Sequence, residues 1–576
     1  TSNVAFTNVA SGTNIDITGN GAVTNADTSV TFVDAATSST VDVVGGTTAG
    51  AITVVGAGIT AQTITSTGAA NTVGTITLAD TTETLTINAS SNLTTGAITD
   101  TAGADAMTSI VITGSGDVDI NASALEDEIV TVNASAATGD VDVTVGNVAE
   151  ATDPGAVDIA DVTVTGGSGD DDINMSNVNT AREMSVSAGA GNDTVTIGTV
   201  LVTSGDTIAG DVLAGGDGTD ILSVSDAIAQ AQGAVTTVSG FEELTITGGL
   251  TGSATVANFQ AGLNTVNLAG GATAGTLVME AGSNTVNLQD VLGGQLTLTD
   301  TGTATTDSVT IVNEDEGADA FADQTIAVNG FETVNVVTTG SGTNNTAVEQ
   351  DTGDITLAVD TGGTGVVNFS GTNAVDMNGI VTAHTLSFAG LTAQDSGTNT
   401  VTMAAADAFE YAGAAGTSGT ITGSAGDDVL FGDTDESTNI NGGAGADNIT
   451  GGSAAETISG GAGDDIIAGG GGADTINGDA GDDQITLGGS TESVDGGAGN
   501  DTVIAAGNLA YGTTIVGGDG TDGLSVNAAV AAAAAARAPA RRAAAINDAW
   551  QALSCTLQRG NAQMLLASAG RSQMVS

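Results

Sequence analysis

The chain has 576 residues, with 68 acidic side chains against six arginines and no lysine, for a formal net charge of −62. Such a surface repels nucleic acid and anionic lipid and attracts divalent cations. Hydrophobic residues make up 40% of the chain and aromatic residues only 2%, which excludes a disordered acidic tail and calls for a core of stacked aliphatic side chains.

Glycine is abundant (86) and proline nearly missing (2), a balance suited to many short strands joined by tight turns. The single cysteine, Cys555, rules out an intramolecular disulfide framework and any cysteine metal cluster. No hydrophobic run reaches transmembrane length. The chain opens on Thr1 without a signal peptide, so it is expected to begin inside a larger protein or after a processing site.

Residues 1–165 read as a Thr/Val/Asn-rich β-solenoid. Its strands include 51–55, 74–78, 84–88 and 129–133, where Thr and Val alternate with the period of two of a half-buried strand. Their β-branched side chains favour a pleated surface. Asn88, Asn121 and Asn133, each in an Asn-Ala-Ser triplet, are expected in turns.

Residues 166–224 carry three single nonapeptides: GGSGDDDIN from Gly166, AGAGNDTVT from Ala188 and GGDGTDILS from Gly215. Their sixth-position aspartates, Asp171, Asp193 and Asp220, are 22 and 27 residues apart, about one solenoid coil, which predicts one calcium corner per coil. Residues 225–420 return to solenoid strands. Two phrases echo each other there, Gly240-Phe-Glu-Glu-Leu-Thr-Ile246 and Gly330-Phe-Glu-Thr-Val-Asn-Val336, and the segments 264–268 and 284–288 are both Asn-Thr-Val-Asn-Leu. Such echoes favour stacked coils over unrelated globules.

Residues 421–526 form the densest repeat region. Between Gly442 and Ile504 the pattern GGxGxDxUx recurs every nine residues. Its glycines allow a tight turn and bring carbonyls close to a cation, and its sixth residue supplies a carboxylate. The eighth residue (Ile449, Ile458, Ile467, Ile476, Ile485, Val494, Val503) is expected to point inward. Carbonyls plus carboxylates suit calcium, whereas zinc would want nitrogen or sulfur.

Two nonapeptides complete a coil, so copies 18 residues apart share a side. One column is Asp447, Asp465, Asp483 and Asp501, with Gly442, Gly445, Gly460, Gly463, Gly478, Gly481, Gly496 and Gly499. The other is Glu456, Asp474 and Glu492, where Asp474 with Gly469 keeps the intact pattern. The first is expected to fill with calcium and the second to bind weakly. Asp428 begins a further turn, but one extra residue before Gly442 is expected to break its register.

Residues 527–576 change character: five of the six arginines, Trp550 and Cys555 fall there, and Asn547 could cap a short helix. This tail reads either as non-native sequence or as a C-terminal secretion signal.

The nonapeptides make the chain resemble RTX proteins, which bacteria export by type I secretion. The order of GGSGDDDIN, AGAGNDTVT, GGDGTDILSV and GFEELTI within 160–250 resembles calcium-dependent S-layer proteins. The resemblance implies a calcium-bound solenoid tiling into a two-dimensional lattice with other copies of itself, and a lipopolysaccharide anchor through a region outside this sequence. The expected fold is all-β: an elongated right-handed parallel β-helix with RTX β-roll segments. The expected ligand is Ca²⁺ and the expected location the bacterial cell surface. No nucleic acid, membrane span or catalysis is expected. A lone histidine, His384, rules out an HExxH zinc site, and the pairs Asp170/Asp171 and Asp464/Asp465 belong to the repeat. An RTX adhesin or matrix protein, and the repeat region of a secreted hydrolase or toxin, are the competing readings.

Overall fold

A computed structural model describes residues 4–526 apart from interspersed segments, the longest being 147–161, 339–355, 372–384 and 401–418. The tail expected to be a signal or non-native, and His384, lie outside the described residues. The chain divides into two compact units, Thr1–Gly248 with Gly252–Asn267, and Gly249–Thr251 with Leu268–Ser576.

The first unit is a stack of parallel coils. Ten strands pair in one parallel sheet, from Asn14–Thr18 through Ala61–Thr67 and Thr131–Ala137 to Val238–Ser239. Alternation puts every second side chain inside, and identical register from coil to coil stacks like on like. Ile15, Val41, Ile64, Ile87 and Ile112 thus form one continuous buried row. A neighbouring row runs Leu85, Ile110, Val132, Val164, Val186 and Leu213. Phe241 and Phe259 are among the few rings, both fully buried. Asn88, Asn121 and Asn133 lie in strands, not in turns; Asn121 and Asn133 use Oδ1 to accept the N–H of Ser123 and Ser135, two residues on.

The second unit repeats the principle, and its coils shorten to 18 residues in the repeat region. Gly275–Met279, Leu296–Asp300, Thr325–Asn329 and Thr356–Asp360 pair in succession, all parallel. Further on, Asp428–Phe431, Asn448–Thr450, Ile466–Ala468, Gln484–Leu487, Thr502–Ala505 and Gly523–Val526 make one face. Thr438–Ala444, Thr457–Ala462, Thr475–Ala480, Ser493–Asp495 and Thr514–Val516 make the other. Between them lies a thin core of Ile440, Ile458, Ile476, Val494 and Ile515 facing Leu430, Ile449, Ile467, Ile485 and Val503. A layer of mostly one aliphatic residue per strand is thin, so the corners matter.

Candidate calcium-binding site

The corners are built by the glycines and the sixth-position acids. In the second unit the aspartates 18 residues apart stand one above another. The Asp447 N–H donates to Asp465 Oδ1 at 2.7 Å, Asp465 N–H to Asp483 Oδ1 at 2.8 Å, and Asp483 N–H to Asp501 Oδ1 at 3.0 Å. The row extends at both ends. Asp428 N–H donates to Asp447 Oδ1 at 2.7 Å across 19 residues, so the extra residue before Gly442 does not break the column. Asp501 N–H donates to Asp522 Oδ1 at 3.2 Å across 21 residues. Asp522 is the sixth residue of GGDGTDGLS, which reading by strict nine-residue spacing passed over; its own glycine pattern would have revealed it.

In the first unit the three single nonapeptides make the same row. Asp171 N–H donates to Asp193 Oδ1 and Asp193 N–H to Asp220 Oδ1, both at 2.8 Å. The row starts from the Val141 N–H on Asp171 Oδ1 and stops at Glu242, whose Oε2 accepts the Asp220 N–H at 2.8 Å. Glu242 belongs to the Gly-Phe-Glu phrase, noticed in the sequence as an echo without a role.

A second row, also unforeseen, runs beside the first in the opposite sense, through the fifth position. Asp464 Oδ1 accepts the Asp482 N–H at 2.8 Å, and Asp482 Oδ1 accepts the Asn500 N–H at 2.7 Å. Asp140, Asp170 and Asn192 do the same in the first unit. Each acidic pair thus divides its work. Asp464 bonds backbone at the surface and Asp465 is buried.

The buried carboxylates are only half satisfied. Oδ2 of Asp447, Asp465, Asp483, Asp501 and Asp522 is buried without a hydrogen-bond partner, as is Oδ2 of Asp193 and Asp220. A Cβ placed on Gly442, Gly460, Gly478 or Gly496 would strike both the Oδ2 of its own motif's aspartate and the first-glycine carbonyl of the next coil. Glycine therefore leaves a cradle where a carboxylate oxygen and carbonyl oxygens converge. Gly445, Gly463, Gly481 and Gly499, at φ between 117° and 143°, turn the chain in a region other residues rarely adopt. Among the described residues no three acidic, histidine or cysteine side chains gather into a metal-binding group, so most ligands would be carbonyls. That donor set fits a large hard cation taking six to eight oxygens, and fits zinc poorly.

The second column is also placed together. Glu456 N–H donates to Asp474 Oδ1 at 3.0 Å, and Asp474 Oδ2 and Glu492 Oε2 are buried without partners. Gly469 makes the same close approach to Asp474 Oδ2. Glu492 differs: its Oε1 folds back to accept Gly488 and Gly489 N–H, and its own N–H meets the Thr513 hydroxyl at 3.4 Å.

Burial pushes these acids up. Asp447 and Asp483 rise to about 7, and Asp171, Asp193 and Asp465 to about 6. The backbone N–H each accepts pulls the other way, and the acids of adjoining coils add to the rise. Asp220, Asp474, Glu492 and Asp501 are raised for the same first cause. A cation at Oδ2 would supply the missing partner and reverse this.

Stacked carboxylates completed by glycine-lined carbonyls define a calcium-binding parallel β-solenoid. Residues 416–436, 434–467 and 468–503 match the model of the RTX calcium-binding nonapeptide repeat. This segment therefore consists of RTX repeats, of a kind typical of secreted proteins. Comparison with curated proteins and with solved structures returned no match. No helix among the described residues is long and apolar enough to cross a membrane.

Proposed function

We propose that this chain is a structural protein of a bacterial surface lattice, folded and assembled by calcium. The observation that carries this reading is the presence of the same half-satisfied carboxylate row in both units, around Asp193 and around Asp465. Calcium-dependent stiffness is thus built into the body of the chain as well as into its terminal repeats. An enzyme's export repeat would have no need of the row in the first unit.

The mechanism follows from the site. Coils stack about 4.8 Å apart. At that spacing neighbouring carboxylates repel by roughly 1 kcal/mol in water and several-fold more in a protein-like dielectric. The Asp465 and Asp483 carboxylates each hold the coil before them through Oδ1 and offer Oδ2 to an ion between coils. A cation held by these carboxylates would offset the repulsion, and folding would then be coupled to binding. Extracellular calcium modules bind at about 10⁻⁴–10⁻³ M, so the carboxylate-cornered repeats stay unfolded before export and fold outside. Export by type I secretion, a lipopolysaccharide anchor elsewhere in the protein, lattice contacts bridged by calcium and the lack of any catalysis belong to the same proposal.

Electron microscopy after adding calcium, strontium or magnesium tests it. Ordered sheets are expected with calcium and strontium. Magnesium should fail, because it demands a smaller octahedral site. Monodisperse particles in calcium would favour an adhesin or an enzyme's repeat region.

A further inference from the structure

One corner of the second unit repeats the geometry of the Asp220 corner where the sequence has no nonapeptide. At Asp220, the Asp193 N–H donates to Oδ1, Glu242 Oε2 takes the Asp220 N–H, and the Asp220 carbonyl accepts the N–H groups of Glu242 and Glu243 at 3.0 and 3.1 Å. At Asp307, the Gly282 N–H donates to Oδ1 at 2.7 Å and Glu332 Oε2 takes the Asp307 N–H at 2.8 Å. The Asp307 carbonyl accepts the N–H groups of Glu332 and Thr333 at 3.0 and 3.1 Å. Both corners have a glycine five residues before the aspartate, Gly215 and Gly302. Both are followed by the Gly-Phe-Glu phrase, with Gly240 and Gly330 at φ of 74° and 87° and the phenylalanine buried.

The carboxylate is left half satisfied in the same way. Asp307 is 1% exposed, and its Oδ2 has no partner. Asp300, at the end of the strand Leu296–Asp300, lies with its carboxyl group within hydrogen-bonding reach of that of Asp307, and Asp300 Oδ1 is buried without a partner. Two ionised carboxylates have no donor to share, so a proton or a cation must lie between them.

We propose that Asp300 and Asp307 hold a calcium ion outside the nonapeptide repeats, at a corner terminated by Glu332. Calcium is the cation favoured because the charge count matches. Two carboxylates balance one divalent ion, and the remaining oxygens come from backbone and water, as at hard-cation sites. Glu332 is a positioning residue. By taking the Asp307 N–H through Oε2 it fixes the backbone from which the Asp307 carboxylate projects. This inference deepens the calcium reading of the repeats and does not depend on lattice assembly.

The test is an anomalous-scattering map of crystals of the full chain grown in strontium, with native mass spectrometry of the calcium-loaded protein. A strontium peak between Asp300 and Asp307 is expected, lost in Asp307→Asn, with one ion fewer per chain. Asn keeps an acceptor for the Gly282 N–H, and circular dichroism in excess calcium shows whether the variant folds. Should Asp307→Asn fail to fold, Asp300→Asn, which leaves the Asp307 bonds in place, is expected to lose the same ion. Peaks at Asp447, Asp465 and Asp483 with none at Asp307 would overturn this inference alone and assign the pair a shared proton. Absence of ions throughout would overturn the calcium reading of the repeats as well.

Discussion

The corner at Asn71 and the corner at Asp465 close the same kind of coil with different chemistry. Asn71 is buried, yet every polar atom of its side chain is used. Oδ1 accepts the N–H of Gly46 and Thr47 at 3.0 and 2.8 Å, and Nδ2 donates to the Val43 carbonyl at 3.1 Å and the Ser66 hydroxyl at 2.9 Å. Asp465 has the same acceptor but no donor, so Oδ2 is left facing carbonyl oxygens. The Asn71 amide completes its own corner, whereas the Asp465 carboxylate leaves one oxygen without a partner. The Asn71 corner is of the first kind, and the corners at Asp447, Asp465, Asp483, Asp501 and Asp522 are of the second.

The sharpest way to break this contrast is calcium removal. In excess chelator, hydrogen exchange across residues 438–516 should become that of an unfolded chain. Amides in Ser38–Val44, Ala61–Thr67 and Thr84–Ala89 should stay protected. Equal loss of protection in both regions would show that the amide corner does not stand on its own.

Single carboxylates come next. Asp465→Ala and Asp483→Ala should each weaken calcium binding at their sites about a hundredfold, near 2.8 kcal/mol. Glu456→Ala and Glu492→Ala should have smaller effects, because Glu492 Oε1 is already engaged by Gly488 and Gly489. Calorimetry on the full chain decides between them; equal losses would dissolve the distinction between the columns.

Exchanging the chemistry of a corner should matter less. Asn71→Asp removes the two Nδ2 donors and buries a charge against the Val43 carbonyl, costing about 2 kcal/mol in thermal or denaturant unfolding. A neutral outcome would mean that the amide donors contribute little.

The smallest effect concerns pH. The raised folded values of Asp447, Asp465 and Asp483, about 6 to 7, mean that the calcium-free native state binds more protons than the unfolded chain between roughly pH 4 and 7. Calcium-free stability of the repeats should therefore be present below about pH 4 and fall as pH rises towards 7. With calcium the sign reverses, because protons compete for the same Oδ2 atoms. Circular dichroism at pH 5 and 7.5, with chelator and with calcium, reads both slopes.

The fold was largely legible because the aliphatic residues keep strict register. Ile449, Ile467 and Ile485 announce an inward row, and the glycines at fixed offsets announce the turn. The column of Asp447 to Asp501 followed from counting eighteens. What counting missed had broken spacing. Asp522 lies 21 residues beyond Asp501, and Asp428 lies 19 before Asp447, yet hydrogen bonding restores both to the row. Asp307 was harder to see, since only Gly302 and the Gly-Phe-Glu phrase mark its corner. The fifth-position row was hidden for another reason. Its residues vary among Asp, Asn, Ala and Thr, because the exposed fifth position tolerates substitutions that the buried sixth position does not.

The 18-residue register also sets how this region can change in length. Removing residues 461–478 would join Gly460 to Asp479, set Asp447 beneath Asp483 and keep both aliphatic rows facing inward. Removing nine would set each half-coil on the opposite face, bringing aspartates of one column against acids of the other. Gains and losses are thus quantised in whole turns, and a stack of this kind can lengthen or shorten by recombination between its own repeats while every remaining corner keeps its geometry.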